Sequence, residues 1–237
     1  MKATDIMHPE DAKAIQMIKS VPGYEKLVRL FMKLGYEMQY RGENLANMIR
    51  VTPHCYPQIY GLFKEVVNKT GIKEPELYIY NDPEMNAYTY GETRTFVALS
   101  SSIVEKLTPE ELKGIMAHEC GHILCKHALY KTMFRTLRDM GAFMGLIHRT
   151  LFAPLYLALQ YWNRKSELSA DRCGMIITSE EVYQSSLVKL ASGLKETPGM
   201  SRCLIEQGKQ YEAFKHSSLW SRIQQEYRCE IGRASCR

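Results

Sequence analysis

Two histidines four residues apart, His118 and His122, lie in a segment that carries the sequence signals of a helix start. Thr108 can act as N-cap, Pro109 suits the first helical position, and Glu111 stands where a capping box requires a carboxylate. The pattern predicts one helix that includes both histidines. Because an α-helix turns about 100° per residue, the two rings are only about 40° apart around its axis. They can therefore point side by side at one metal ion.

A glutamate follows the first histidine, so the segment has the pattern H-E-x-x-H with Glu119 as its acid. A rotation of about 100° from His118 places this carboxylate beside the ion, outside its ligand shell. There it could take a proton from a metal-bound water. Catalytic zinc has three protein ligands and a water whose pKa falls to about 7. A third ligand must therefore come from another part of the chain.

The best candidate for that ligand lies downstream, where Glu167 and Asp171 are again four residues apart and share a helix face. A second helix can bring Glu167 to the ion. Asp171, one turn further, can then accept the free ring N–H of a ligating histidine and fix its tautomer. In isolation such a pair is more often a solvated acidic face, and the upstream motif is what favours the ligand interpretation.

The rest of the chain indicates an α+β fold that is mostly helical. Residues from about 9 to 68 have helical patterns, whereas 76–80, 86–91 and 95–99 are strand-like, which predicts a small antiparallel sheet. We expect an N-terminal helical region (1–74) packed on a catalytic domain (75–229). The strands fit an exposed edge that binds an extended substrate and a plain hairpin equally well.

Composition excludes several functional classes. The net charge of +5 is spread along 237 residues without a basic block, so no nucleic-acid partner is expected. Seven cysteines without C-x-x-C pairs do not indicate a disulfide framework, and Cys120 is expected in the core. Residues 1–19 lack the pattern of a signal peptide. Together these features favour a cytoplasmic protein with reduced thiols.

Two further stretches affect the expected domain organisation. Residues 140–162 are the most apolar part of the chain, but charged residues and Pro154 interrupt them. The uninterrupted apolar runs are therefore too short to span a bilayer. Two buried helices are favoured there, with a hairpin that touches a membrane surface as the alternative. Residues 230–237 have the sequence expected from translation of a sequencing adapter, and we expect them to be a non-native read-through tail.

Three motifs follow one another in the chain: Asn86-Ala87-x-x-x-Gly91, then Ala117-His118-Glu119-Cys120-Gly121-His122 with His127 after it, then Arg164-x-x-Glu167-x-x-Ala170-Asp171. In these motifs the chain resembles the gluzincin family of HtpX-like heat-shock proteases and CAAX prenyl endopeptidases. The resemblance covers roughly residues 75–191, and the N-terminal helices resemble those of soluble bacterial relatives. The metzincin pattern is excluded, because it would require glycine and histidine where Cys125 and Ala128 stand.

The resemblance implies a zincin-like fold with one zinc ion per chain, bound by His118, His122 and Glu167, and Glu119 as general base. It also implies that Asp171 orients His118. Substrate would bind along the strand motif, at Asn86, Ala87 and Gly91.

His127 lies nine residues after His118, on the opposite face of a continuous helix, so we do not expect it to be a ligand. The read-through tail implies that the natural C-terminus is missing. The sequence therefore leaves the oxyanion-stabilising group open between Arg172, a tyrosine and a residue of that missing end. HtpX-like membrane members carry transmembrane spans, which this sequence lacks, so their membrane-protein substrates are not assigned here.

The prediction is a zinc endopeptidase that acts on polypeptides. The alternatives are a zinc-binding scaffold or chaperone-like protein that does not cleave, and a helical interaction protein with a chance motif. The sequence does not indicate an oligomeric state.

Overall fold

This computed structural model describes residues 1–21, 23, 26, 36–91, 93–195, 197 and 199–215, with side chains except at 36–37, 39–40, 136–154, 201 and 211–215. Its helices are α1 (Ala3–Ile6), α2 (Pro9–Lys19), α3 (Tyr36–Asn47), α4 (Pro57–Thr70), α5 (Ser101–Lys106), α6 (Pro109–Leu124), α7 (His127–Ile177), α8 (Glu180–Ser192) and α9 (Met200–Lys215). Its strands are β1 (Ile49–Val51), β2 (Glu76–Tyr80), β3 (Ala87–Tyr90) and β4 (Phe96–Ser100). The predicted class, α+β and mostly α, is confirmed. The tail at 230–237 lies outside the described residues.

The sheet differs from the predicted three antiparallel strands. Its four strands lie in the order β1-β2-β4-β3, with β2 and β4 parallel and the two outer pairs antiparallel. β1, which falls in a stretch predicted as helical, is only three residues long, and this is too short for a visible alternation. β4 is buried along its whole length, so its backbone N–H and C=O groups need hydrogen-bond partners on both sides, which β2 and β3 supply. The sequence identifies β2, β3 and β4 but not the order in which they pair.

The motif helix α6 lies in the interior of the fold. Every residue from Gly114 to His122 is buried, and the apolar ones pack against α4 and the sheet. The predicted start is confirmed, because Thr108 accepts a hydrogen bond from the Glu111 backbone N–H and the Glu111 carboxylate accepts one from the Thr108 N–H. The motif is therefore fixed in a rigid, water-excluding environment.

Helix α7 reverses direction within its length. A straight helix would place Lys131 and Glu167 about 54 Å apart at 1.5 Å per residue, yet Lys131 Nζ lies 3.1 Å from Glu167 Oε1. The rings of Phe134 and Tyr156 also stack, with centroids 5.4 Å apart. The chain therefore doubles back between residues 134 and 156.

We call residues 127–135 the first arm of α7 and residues 155–177 the second arm. This reversal agrees with the two helices, or hairpin, predicted around 140–162. In the second arm, three apolar side chains of that stretch are buried in the fold: Leu155, Leu159 and Trp162. Contact with a membrane stays a prediction. Within the described residues, no helix combines the length and the apolar character that a bilayer crossing requires.

A glycine lets α6 and the second arm of α7 approach closely. A Cβ added at Gly121 would lie 2.8 Å from Cys173 Cβ and 3.2 Å from Ala170 Cα, which is closer than side chains tolerate. Gly61, exposed in α4, has open space around the same position. The two helices that carry the motif and the downstream acids can be this close only because residue 121 has no side chain.

We expect Gly121→Ala to lower the free energy of unfolding by about 1–3 kcal/mol, because the added methyl group forces the two helices apart. Gly61→Ala should leave stability unchanged or raise it by up to about 1 kcal/mol, since it removes backbone freedom from the unfolded chain. Urea denaturation of both variants measures the difference. Equal stabilities would contradict the close packing.

The cap of α6 is also tied to α8. Lys189 Nζ lies 2.6 Å from Glu111 Oε2, and Ser185 donates to Glu111 Oε1 at 2.8 Å. Burial alone would raise the pKa of Glu111, but these hydrogen bonds and those from Thr108 hold it below its ordinary value. The ionised carboxylate is therefore the form that stabilises the fold.

Glu111→Gln should lower the free energy of unfolding by about 1–3 kcal/mol at pH 7, because Lys189 loses its buried anion. The folded-state pKa lies below the unfolded value of about 4.3, so this stabilisation is complete above that pH. It is lost as the pH falls through the folded-state pKa. Denaturation curves from pH 3 to 7 should show the two proteins converging in acid. Glu110→Gln, at an exposed ion pair, should change stability by only about 0.5 kcal/mol at any pH; a constant gap for Glu111→Gln would contradict the assignment.

Candidate metal centre

Three side chains converge at one buried point. His118 Nε2 and His122 Nε2, both from α6, lie 3.2 Å apart. Glu167, from the second arm of α7, places Oε2 3.1 Å from His118 Nε2 and Oε1 3.5 Å from His122 Nε2. Neighbouring ligands of a tetrahedral ion bound at about 2.0–2.2 Å lie about 3.3–3.6 Å apart. The spacing of these atoms therefore fits a single small cation.

This group stands out within the structure. Among the described residues, it is the one set of three or more histidine, cysteine or acidic side chains close enough to hold a metal ion. All three residues are buried. The neighbouring Cys120 is not in the set, and burial raises its pKa well above the ordinary value, so it stays a protonated core thiol.

Glu119 is fully buried in the middle of α6, and neither of its carboxylate oxygens has a hydrogen-bond partner among the described residues. Burial raises its pKa, although the charges of His118 and Lys131 act in the opposite direction. An unpartnered buried carboxylate is costly, and such groups point to a ligand or a catalytic role. Here the carboxylate belongs to the residue next to a converging histidine.

The outer nitrogen of His118 faces a tyrosine and an acid. Its Nδ1 lies 2.8 Å from the Tyr183 hydroxyl and 3.1 Å from Asp171 Oδ1. Tyr183, from α8, donates in turn to Asp171 Oδ1 at 2.8 Å. Burial raises the pKa of Tyr183 well above its ordinary value, so its hydroxyl stays protonated and can donate. His118 therefore presents Nε2 to the common point while its other nitrogen is held.

The outer nitrogen of His122 faces a third histidine. His122 Nδ1 lies 3.0 Å from His127 Nδ1. Contrary to the prediction from the sequence, His127 does not lie on the opposite face of a continuous helix. Helix α6 ends at Leu124, and Lys126 with φ of 59° turns the chain, so that α7 brings His127 back against the motif.

Lys131, from the first arm of α7, adds a buried positive charge. Its Nζ lies 2.8 Å from His122 Nε2 and 3.1 Å from Glu167 Oε1. Burial and this charge hold the pKa of His122 well below its ordinary value. Burial alone would raise the pKa of Glu167, but Lys131 and the histidines keep it well below the usual range. The centre thus contains an ionised carboxylate and a neutral imidazole, the forms that bind metal.

The pKa of His118 is shifted in the opposite direction to that of His122. Burial alone would lower its pKa, but hydrogen bonds to Asp171 and Glu167 outweigh that effect and raise the pKa to about 10. A cation that binds here must displace this proton, so binding should weaken in acid.

The predicted substrate motif lies at the edge of the sheet. Ala87 begins β3, which pairs only with β4 among the described strands and packs beside α6 and α7. Asn86, just before it, is held through its backbone by Ser100. Gly91 follows the strand with φ of +92°, and an added Cβ would meet the Arg94 carbonyl oxygen. The motif therefore forms an edge strand beside the two helices that carry the centre, while its role in substrate binding stays a prediction.

The predicted group of His118, Glu119, His122, Glu167 and Asp171 is brought together in the structure. Three neighbours were not predicted: Lys131, Tyr183 and Asp11, whose Oδ2 lies 2.9 Å from His127 Nε2. No local spacing links them to the motif, because each comes from a different helix. Only the presence of His127 shortly after the motif gave a sequence signal for this part of the site.

A buried His–His–carboxylate set, with both histidines on an H-E-x-x-H helix, is typical of metallopeptidases. The model of Peptidase family M48 matches residues 53–225, and the chain belongs to this family. The predicted gluzincin resemblance is thereby confirmed, whereas the soluble bacterial branch stays a prediction. One curated relative is the chloroplastic plastoglobule-localized metallopeptidase 48 of Arabidopsis thaliana, 28% identical over 229 residues and 92% of this chain. The chain spans 65% of that relative's length. No solved structure matches.

Tyr183→Phe tests how strongly the hydroxyl holds His118 and Asp171. We expect the metal-free variant to lose about 1–3 kcal/mol of unfolding free energy, because two buried polar groups lose a partner. Tyr60→Phe, which removes an exposed hydroxyl bonded to Glu74 at 2.9 Å, should stay within about 0.5 kcal/mol of the wild type. Chemical denaturation in the presence of a chelator measures both. A loss at Tyr183 no larger than that at Tyr60 would contradict the bridging role.

Proposed function

We propose that the protein is a zinc-dependent endopeptidase. The observation that carries the proposal is the convergence of two imidazole nitrogens and one carboxylate at ligand spacing, next to a buried glutamate without a hydrogen-bond partner. Membership in Peptidase family M48 supports the reaction class. The finer assignments below concern the metal, the residues and the substrate.

His118, His122 and Glu167 would hold the ion. Two neutral imidazoles and one carboxylate form a donor set that suits zinc in a catalytic site, where a fourth position stays open. When bound, zinc acidifies a coordinated water and polarises the carbonyl of the peptide bond. The single carboxylate leaves the centre with a net positive charge, which preserves that polarising power.

Glu119 would act as the general base and then as the general acid. Its burial raises its pKa, and this brings the carboxylate closer to the pH range in which it can both accept and return a proton. It would take a proton from the attacking water and deliver it to the leaving amine. The absence of a hydrogen-bond partner among the described residues leaves its oxygens available for that transfer.

Asp171 would hold His118 in one tautomer. In the arrangement of the side chains, the His118 Nδ1–H donates to the oxygen atoms of Asp171 or Tyr183, and Nε2 is left as the ligand atom. Such outer contacts fix ring orientation and raise ligand basicity.

The substrate would be an extended polypeptide that pairs with the edge of β3. Backbone pairing of a peptide with the outer strand of a sheet gives affinity with little dependence on side chains. The strand carries Ala87 and lies between Asn86 and Gly91, the three predicted substrate residues, and it packs beside the helix that carries Glu119.

Glu119→Gln should abolish most casein cleavage, by about 10²- to 10⁴-fold, because the proton acceptor is removed. Zinc should still bind at about one ion per chain, because the three ligands remain. Elemental analysis and a fluorescent casein assay measure the two quantities in the same preparation. Glu181→Gln, at an exposed acid on α8, is the matched control and should retain both.

Glu167→Gln provides the complementary result, since it should lose zinc and cleavage together. Cleavage that survives Glu119→Gln would refute the base assignment. A wild-type chain that binds zinc but cleaves neither casein nor peptides would favour the scaffold alternative. A wild-type chain without zinc would refute the metal centre.

A further inference from the structure

A chain of buried contacts leads from His122 away from the ion site to the N-terminal helix α2. His122 Nδ1 lies 3.0 Å from His127 Nδ1, and His127 Nε2 lies 2.9 Å from Asp11 Oδ2. All three side chains are fully buried. At 2.9 Å the His127 ring nitrogen lies within hydrogen-bond distance of the carboxylate oxygen, although its N–H is not aimed straight at that oxygen.

The carboxylate of Asp11 is itself held on both oxygens. Trp162 Nε1–H donates to Oδ1 at 3.0 Å, and the Ser169 hydroxyl donates to Oδ2 at 2.5 Å. Both donors come from the second arm of α7, which also carries Glu167. Asp11 therefore has one fixed orientation, with Oδ2 towards His127.

This orientation permits one consistent placement of protons. A carboxylate can only accept, so a neutral His127 carries its single proton on Nε2 and offers a lone pair at Nδ1. His122 then donates its Nδ1–H to His127, and its Nε2 is left unprotonated. Nε2 is the atom that faces His118 and Glu167.

We propose that Asp11 is a positioning residue for the metal centre, acting through His127 to hold His122 in the tautomer that binds metal. The inference rests on the proposed function and extends it to α2, which belongs to the N-terminal helical region that the sequence predicts to be packed on the catalytic domain. His122 thus has a carboxylate behind it, as His118 has Asp171, but this one is relayed through a second imidazole and comes from the other end of the chain.

A structural role alone would give a different result. Asp11 lies in the first turn of α2 and bonds Trp162 and Ser169, so it also joins that helix to α7. In that case zinc affinity would follow stability across any set of variants. If Asp11 is a positioning residue, zinc affinity and stability need not change together, because zinc affinity depends on whether residue 11 presents an acceptor or a donor to His127.

Asp11→Asn is the decisive variant. Trp162 donates to Oδ1, so the asparagine oxygen stays on that side and the amide NH₂ replaces Oδ2. The NH₂ would force His127 to accept at Nε2 and donate from Nδ1, which pushes the proton of His122 onto Nε2. Zinc affinity, measured by chelator competition, should fall by about 10- to 100-fold. Asp11→Ala leaves His127 free to choose either tautomer and should lose less affinity.

Stability should follow the opposite order. Asp11→Ala removes both hydrogen bonds and leaves a cavity, so it should unfold at lower urea concentration than Asp11→Asn in the metal-free state. Ser169→Ala removes one donor to the same carboxylate but leaves its charge and the Trp162 hydrogen bond that orients it. This variant should lower stability but keep zinc affinity close to that of the wild type. The absorption spectrum of the cobalt-substituted protein should change for Asp11→Asn and stay unchanged for Ser169→Ala.

Zinc affinity that ranks the three variants in the same order as stability would overturn the inference. Unchanged zinc affinity in Asp11→Asn would do so as well, while the proposed function would stand. A wild-type chain that binds no zinc would overturn both proposals together.

Discussion

The burial of α6 along the whole H-E-x-x-H motif is the constraint on which the rest of the structure depends. A helix in the interior cannot leave its polar side chains to water, so each must find a partner in a neighbouring helix or bind a ligand. His118 and His122 find theirs in α8 and in the first arm of α7. Glu119 has none among the described residues. This difference supports the proposed roles, in which the two histidines are oriented as metal ligands and Glu119 exchanges protons with a bound water.

Local spacing was sufficient to predict what a single helix can do. The start of α6 at Pro109 and the common face of its two histidines follow from helix geometry, and the downstream acids on α7 share a face for the same reason. The reversal within α7 was predicted as two helices or a hairpin, but the end of α6 and the pairing order of the sheet were not. Helix periodicity predicts His127 on the opposite face, and this is wrong because α6 ends at Leu124. The parallel pairing of β2 with β4 was missed for a similar reason, since strand order is set by packing of the whole sheet.

Long-range partners could not be read from the sequence at all. Asp11 and Tyr183 are common residue types in ordinary helical patterns, and neither lies near the motif along the chain. Their importance comes from the packing of α2 and α8 on the two sides of α6 and α7. Helices that looked uninformative in sequence therefore supply the contacts behind the histidines. Residues 53–225, which match the family model, do not include α2.

Lys131 has a consequence for how the core forms. Its ammonium group lies 3.1 Å from Glu167 Oε1, so this buried anion has its counter-charge within the protein itself. A buried carboxylate without such a neutralising group would be strongly destabilising. Because the two charges come from opposite arms of α7, neither can leave water until the arms meet, and this couples formation of the hairpin to closure of the core.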